Sequence, residues 1–225
     1  MPSKTLTYTL VRSNRKSLGI SIERNNDIIV RAPQDCAIDV IDGFFEDKKF
    51  WIYQKLAEKR LIEDELPPKK YVNGEGFPYL GKSYRLQIVD DGAPLKLSHG
   101  YFELDQKNAD KGRETFIKWY REHALPIIEK RVVIYKSILG VEPSDIRVLD
   151  LKFRWGSCSS AGTINIHWKT ILAPMSIVDY VVVHELVHLK EKNHTQKFWE
   201  IMGTVLADYE KRKEWLKVNG NYFEI

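Results

Sequence analysis

Residues 181–188 read Val-Val-Val-His-Glu-Leu-Val-His, and a further histidine, His194, follows six positions later. This stretch restricts the fold more than any other, because H-E-x-x-H makes chemical sense only on a helix. Side chains four apart on a helix share a face, with Cβ atoms ~5–6 Å apart. His184 and His188 are then close enough to grip one metal ion. Glu185 sits about 100° round the helix from His184, within reach of a water on that metal. Two neutral imidazoles and an unshared carboxylate are the parts of a hydrolytic zinc site. With six histidines in 225 residues, these three positions coincide by chance in roughly one such sequence in a hundred.

The surroundings suit a buried helix. Ile177, Val178, Val181, Val182, Val183, Leu186, Val187 and Leu189 make it apolar nearly all round. Pro174 and the capping-box-like Ser176-x-x-Asp179 mark its start, and Lys190-Glu191-Lys192-Asn193 marks its end. Two imidazoles on so apolar a helix are costly without a shared partner. The break at Lys192-Asn193 lets His194 swing back as third ligand, at the spacing of the third metzincin histidine. Glu191 occupies the place of the turn glycine in that signature. A carboxylate from Glu191, Glu200 or Asp208 is the alternative third ligand, as in His₂Glu enzymes. Glu200 and Asp208 are also candidate acceptors for the outer N–H of a ligand imidazole.

At 43% hydrophobic, 225 residues bury a substantial core as one domain or two packed lobes. Thirty-five Lys and Arg are interleaved with thirty-one Asp and Glu, which reads as a solvated mixed-charge surface rather than a nucleic-acid footprint. Two cysteines, Cys36 and Cys158, have no framework spacing and suit a reduced cytoplasm. Met1-Pro2-Ser3-Lys4-Thr5 carries no apolar leader, and no apolar run approaches the ~20 residues of a membrane span.

Alternation over Leu6–Arg12, Leu18–Glu23 and Ile28–Arg31, with a turn at Asn25-Asn26-Asp27, predicts a β-meander. A helix follows on Ile38, Ile41, Phe45, Ile52 and Leu56, its face thickened by Phe50 and Trp51 and its end set by Leu66-Pro67-Pro68-Lys69. Short strands occupy Phe77–Val89, Leu95–Leu97 and Tyr101–Leu104, with turns at Asp90-Asp91-Gly92 and Ser98-His99-Gly100. Their aromatics read as the packed face of a small sheet rather than a base-stacking platform. From about Lys111 a helical period runs for nearly thirty residues to Gly140, with Pro126 expected to kink or interrupt it. Ile146–Phe153 and Thr163–Trp168 read as an antiparallel pair packed on the metal helix, with 163–168 as the edge that pairs with substrate backbone. Thr195 caps one last amphipathic helix carrying Phe198, Trp199, Met202, Val205, Leu206, Tyr209 and Trp215.

Arg154-Trp155-Gly156-Ser157-Cys158-Ser159, Ile164-Asn165-Ile166-His167-Trp168, Pro174, Asp179–Leu189, Asn193-His194 and Phe198-Trp199 together resemble the YgjP-like metallopeptidase family. That family is related to the Wss-type and SprT-like zinc proteases. Asn14-Arg15-Lys16-Ser17 and Val30-Arg31-Ala32-Pro33 extend the likeness to the N-terminal half. The resemblance implies an α+β fold: a β-rich N-terminal lobe with one helix over 1–109, then a zincin-like, minimal gluzincin-type helix-and-small-sheet core over 110–225. It implies Zn²⁺ held by His184, His188 and His194, with Glu185 as catalytic base. The role of the W-G-S-C segment stays open, including any approach of Cys158 to the metal.

The expected chemistry is hydrolysis of a peptide or protein substrate by a zinc-activated water, with Arg154, Tyr180 or His167 as a second oxyanion donor. Two other readings stand beside it. One is a nucleotide phosphoanhydride hydrolase using Lys82, Arg85 and Arg154. The other is a DNA-directed module, for which no basic tail is visible.

Overall fold

In the computed structural model, residues 6–23, 26–65, 68–90, 92–151, 154–223 and 225 are described. They form two compact units, Met1–Pro67 and Pro68–Ile225.

The first unit has three strands, β1 (Thr9–Ser13), β2 (Gly19–Ile22) and β3 (Ile28–Pro33), packed with one helix, α1 (Ile38–Glu65). The sheet is not the expected meander: its order is β1-β3-β2, with β1 parallel and β2 antiparallel to β3. The reason is that β3 carries the buried alternation Ile28, Val30 and Ala32 and so takes the centre. Arg12 fastens the parallel edge, its Nη1 donating to the carbonyls of Pro33, Gln34 and Cys36. On α1, Ile41, Phe45 and Ile52 form the buried stripe. Phe50 is 73% exposed and Trp51 39%, so neither thickens that face. Five and six residues beyond Phe45, they lie well off its stripe at about 100° per residue. Asn25, Leu66 and Pro67, singled out as turn and helix-end signals, lie outside the described residues, as do Asp91, Lys152 and Phe153.

In the second unit, β4 (Gly76–Tyr79), β5 (Lys82–Val89), β6 (Leu95–Ser98) and β7 (Tyr101–Asp105) make a sheet of order β4-β5-β7-β6. Both hairpins close on two left-handed residues, Leu80-Gly81 and His99-Gly100, the turn whose twist matches paired strands. Helix α2 (Gly112–Leu139) runs on through Pro126 as one element and ends on left-handed Gly140. Phe77 stacks on Phe116 at 4.0 Å, and Phe102 meets Trp119 edge-on at 5.0 Å. These aromatics are therefore core, as expected of a packed sheet face. The anticipated boundary at 109/110 falls inside the 3-10 helix Gln106–Lys111, and this sheet belongs to the same unit as α2.

A third sheet joins β8 (Asp145–Leu149), β9 (Gly156–Cys158) and β10 (Thr163–His167) in the order β8-β10-β9. Two expectations change here. β8 and β10 pair in parallel rather than antiparallel, and β10 is the central strand, so 163–168 is not an edge. The free edge beside the candidate site is β9, inside what reads from sequence as a connector; three residues are too few to show a period. After the 3-10 turn Trp168–Leu172 comes α3 (Met175–Val187), followed by α4 (Gln196–Val205) and α5 (Tyr209–Asn219). The single final helix expected is thus two, broken at residues 206–208.

Helix α3 is buried from Ile177 to Val187 at every residue except His184. Its capping box does not form: Pro174 is the N-cap, with no side-chain cap bond. Asp179 instead takes a bidentate pair from Arg131 of α2, at 2.5 and 2.9 Å. The β4–β5 turn docks just ahead of α3, Leu80 N donating to Ile171 O at 2.8 Å. A Cβ on Gly81 would stand 2.8 Å from Pro174 Cα, so that turn has room for nothing larger. No described helix is long and apolar enough to cross a membrane.

Candidate metal centre

His184 lies in the last turn of α3 and His188 is its C-cap. Leu189, Lys190 and Glu191 turn the chain back, their backbone N–H groups donating hydrogen bonds to Leu186 O and Val187 O. None of these residues has a positive φ, which is why the turn forms with Glu191 where a glycine was looked for. Thr195 then caps α4, its hydroxyl accepting from Phe198 N at 3.4 Å. The return brings His194 Nε2 to 2.9 Å from His184 Nε2.

One potential ligand nitrogen from each of His184, His188 and His194 lies within 4.8 Å of the others, the sole such cluster of metal-ligating side chains among the described residues. Phe198, fully buried, is a floor under all three rings, at 4.9, 4.7 and 4.7 Å between centroids. His188 Nδ1 is 3.1 Å from the Glu191 carbonyl oxygen. A carbonyl only accepts, so Nδ1 carries a proton, and in that tautomer of the neutral ring Nε2 has the free lone pair. The acceptor that orients a ligand imidazole is therefore a backbone carbonyl of Glu191. The two carboxylates proposed for that task are engaged elsewhere: Glu200 accepts from Gln196 at 2.8 Å, and Asp208 pairs with Arg212 at 2.8 Å. Neither they nor Glu191 joins the cluster as a ligand.

Electrostatics suit a cation. Burial pushes His184 down to about 3, helped by His188, His194 and Lys213. Burial and the same neighbouring charges on His188 and Lys213 lower His194. Both rings stay neutral, as metal ligands must be. His184 Nδ1 is buried without a hydrogen-bond partner. The donor set, three imidazoles with no thiolate, is one that Zn²⁺ accepts, with a coordination position to spare.

Glu185 points from the same helix and is 5% exposed. Burial raises its carboxyl to about 8, with Arg154 pulling the other way, and its Oε2 has no partner. It packs against β9: a Cβ built on Gly156 would stand 2.5 Å from Glu185 Oε1 and 2.7 Å from its Cγ. The glycine of the W-G-S-C segment thus has a physical role, letting a strand pass directly over the carboxylate. Trp155 is held by the C-terminal end of the chain, where a Cβ on Gly220 would meet its ring at 2.7 Å.

These groups open onto a cleft of about 700 Å³. Its lining includes 154–160, Tyr180 and the α3 histidines, and Lys213, Leu216 and Lys217 of α5. Of the oxyanion donors considered, Arg154 and Tyr180 line it, whereas His167 is fully buried and does not. Burial, Glu185 and Tyr209 push the Tyr180 hydroxyl up to about 12, so it keeps its proton. Lys82 and Arg85 are not part of the cleft, and Cys158 lines it without joining the histidine cluster. Burial, then Glu185, raises the Cys158 thiol, which leaves it protonated and inert at neutral pH. Sequence reading missed Gly156 and the α5 lysines, because both reach the site through tertiary packing; the sole local signal was a glycine in an unusual four-residue string.

A protein-family profile described as YgjP-like, metallopeptidase domain, matches residues 16–219. The chain belongs to that family, and its architecture is α+β, as expected. Comparison with curated proteins gave no match. Among solved structures, the metallopeptidase zymogen of Pyrococcus abyssi abylysin is 22% identical, over 44% of this chain and 99% of that one, with a TM-score of 0.40.

Proposed function

We propose that this YgjP-like metallopeptidase is a zinc-dependent hydrolase of peptide bonds, with His184, His188 and His194 as metal ligands and Glu185 as general base. One observation carries the reading: three imidazoles converge within 4.8 Å, and the helix that bears His184 also bears a buried carboxylate, all lining one cleft. Zinc held there would acidify a water and polarise a carbonyl. The protein's part is the proton and the orientation. Glu185 takes the proton of the attacking water and passes it to the leaving amine nitrogen, a role its seat against Gly156 confines to one direction. Tyr180, kept as an O–H donor, and Arg154 line the same cleft and are the groups we assign to stabilising the oxyanion.

β9 supplies the edge. Ser157 and its neighbours have β10 on one side only, so an extended peptide adding a strand there would run beside the base. Of the three cations that a phosphoanhydride reading relied on, only Arg154 lines the cleft. The peptide reading is accordingly preferred. Free thiols at Cys36 and Cys158 accord with a cytoplasmic setting.

The test compares wild type, His184→Ala and Glu185→Gln on casein, peptides and nucleoside triphosphates, with zinc content measured on each. His184→Ala loses metal; Glu185→Gln keeps it and loses about 10²–10⁴-fold in kcat. Undiminished hydrolysis by Glu185→Gln overturns the assignment, and phosphate release without peptide cleavage moves it to nucleotides.

A further inference from the structure

The cleft walls carry charge of one sign. Arg154, Lys192, Lys213 and Lys217 line it, and its one carboxylate is Glu185, buried against Gly156. Composition does not explain this, since the whole chain has thirty-five cations to thirty-one anions. Among the described residues, Arg154, Lys192 and Lys213 have no ion-pair partner, while Lys217 has Glu214 at 3.1 Å.

Lys213 is held in place. Its Nζ stands 4.2 Å from the centroid of the Trp199 ring, a cation–π contact. Trp199 stacks in turn on His194 at 5.7 Å and on Tyr209 at 5.4 Å. A positive charge is thereby placed beside the histidine cluster. A cleft of one sign with low-dielectric walls focuses its field and concentrates ligands of the other sign.

We infer that the cleft selects acidic peptides, in which Asp or Glu side chains flanking the scissile bond neutralise Lys192 and Lys213. This rests on the peptidase reading above and adds the substrate class to it. A polyanion such as DNA offers the same charge. However, the site also presents β9, whose unpaired backbone edge matches a peptide and has no counterpart in a phosphate ligand.

The experiment uses the full zinc-loaded chain and matched fluorogenic peptides that differ only in flanking residues: Asp/Glu, Asn/Gln or Lys. Acidic peptides should be cut with kcat/KM about tenfold above the neutral set, and the advantage should shrink as salt rises. Lys213→Glu should abolish or invert that ratio. Lys118→Glu, an exposed change on α2 outside the cleft, should leave it intact. Binding is read separately, by anisotropy of labelled acidic and neutral peptides on Glu185→Gln, with single-stranded DNA as competitor. Equal cleavage and binding of acidic and neutral peptides overturns the inference while sparing the peptidase reading. DNA that outcompetes the acidic peptide in a Lys213-dependent way overturns it in favour of a phosphate ligand. Cleavage of no peptide at all, with acidic peptide still bound selectively, defeats the peptidase reading alone.

Discussion

Gly156→Ala adds one methyl group to β9, and its first neighbours are all atoms of the candidate base. The new Cβ would stand 2.5 Å from Oε1, 2.7 Å from Cγ and 2.8 Å from Cδ of Glu185, where ordinary contact begins near 3.4 Å. Something must yield by about 0.9 Å. Glu185 is 5% exposed and has little room, so the carboxylate is displaced, β9 lifts, or both. A misplacement of ~1 Å in a catalytic group costs about 10²-fold in rate, equivalent to about 2.7 kcal/mol in barrier height. The metal should stay, because none of the three nearest atoms to that Cβ belongs to a histidine. The assay pairs steady-state kinetics on a fluorogenic peptide with zinc content and thermal midpoint. The expected result is kcat down about a hundredfold with full zinc occupancy. Shortening the base should relieve the clash, so Gly156→Ala should cost much less on a Glu185→Asp background than on wild type. Wild-type kcat in a folded, zinc-replete Gly156→Ala protein would refute the packing of β9 on the base, and strict additivity with Glu185→Asp would do the same.

Three further outcomes can be measured. Tyr180→Phe removes a hydroxyl held protonated by a pKa near 12 and should cost about 10²-fold in kcat with KM little changed; an unchanged kcat would leave the role to Arg154. In metal-free protein, the folded Glu185 carboxyl near 8 lies above its ordinary 4.5, so its contribution to stability is present below 4.5 and drains as pH rises through 8. Between pH 6.5 and 8 His184, lowered to about 3, is neutral when folded, and its titration in the unfolded chain is common to both proteins and cancels in the comparison. Wild type should therefore lose up to ~1.4 kcal/mol per pH unit there relative to Glu185→Gln, and parallel curves from denaturant titrations would contradict the burial. Arg131→Ala strands the Asp179 carboxylate between α2 and α3 and should lower unfolding stability by about 3 kcal/mol, most of it recovered in an Arg131→Met/Asp179→Leu pair; a neutral single substitution would show the ion pair to be idle.

Local period made much of this molecule legible. Ile177–Val187 announces a buried helix, and the long run from Phe116 to Tyr135 is one helix with its glycine stop at 140. The imidazoles of His184 and His188 needed only the four-residue repeat. What failed was what depends on partners distant in sequence. β10 reads as an edge strand because nothing in Thr163–His167 reports that β8 and β9 flank it. β1 and β2 read as neighbours because they are consecutive, whereas the burial of Val30 and Ala32 hands the central place to β3. Ser176-x-x-Asp179 has the form of a capping box, yet Arg131, 48 residues upstream of Asp179, offers that carboxylate a bidentate partner instead. Phe50 and Trp51 mislead for another reason: hydrophobicity was counted without the angle at which each residue leaves α1.

The position of Gly156 ties recognition to catalysis more closely than the helix motif alone suggests. The strand that offers its free edge to a peptide is also the strand whose backbone presses on Glu185. A substrate that pairs with β9 therefore binds against the one element that fixes where the base points. If pairing draws β9 in or out by a few tenths of an ångström, the carboxylate feels it directly, since no side chain lies between them. Peptides that pair poorly with β9 should then lose kcat as well as KM, a pattern in which binding away from the reacting atoms contributes to the rate. The matched comparison is an N-methylated peptide that cannot donate to the edge against its unmethylated parent. A loss confined to KM would show β9 to be a passive rail, with Glu185 positioned by α3 alone.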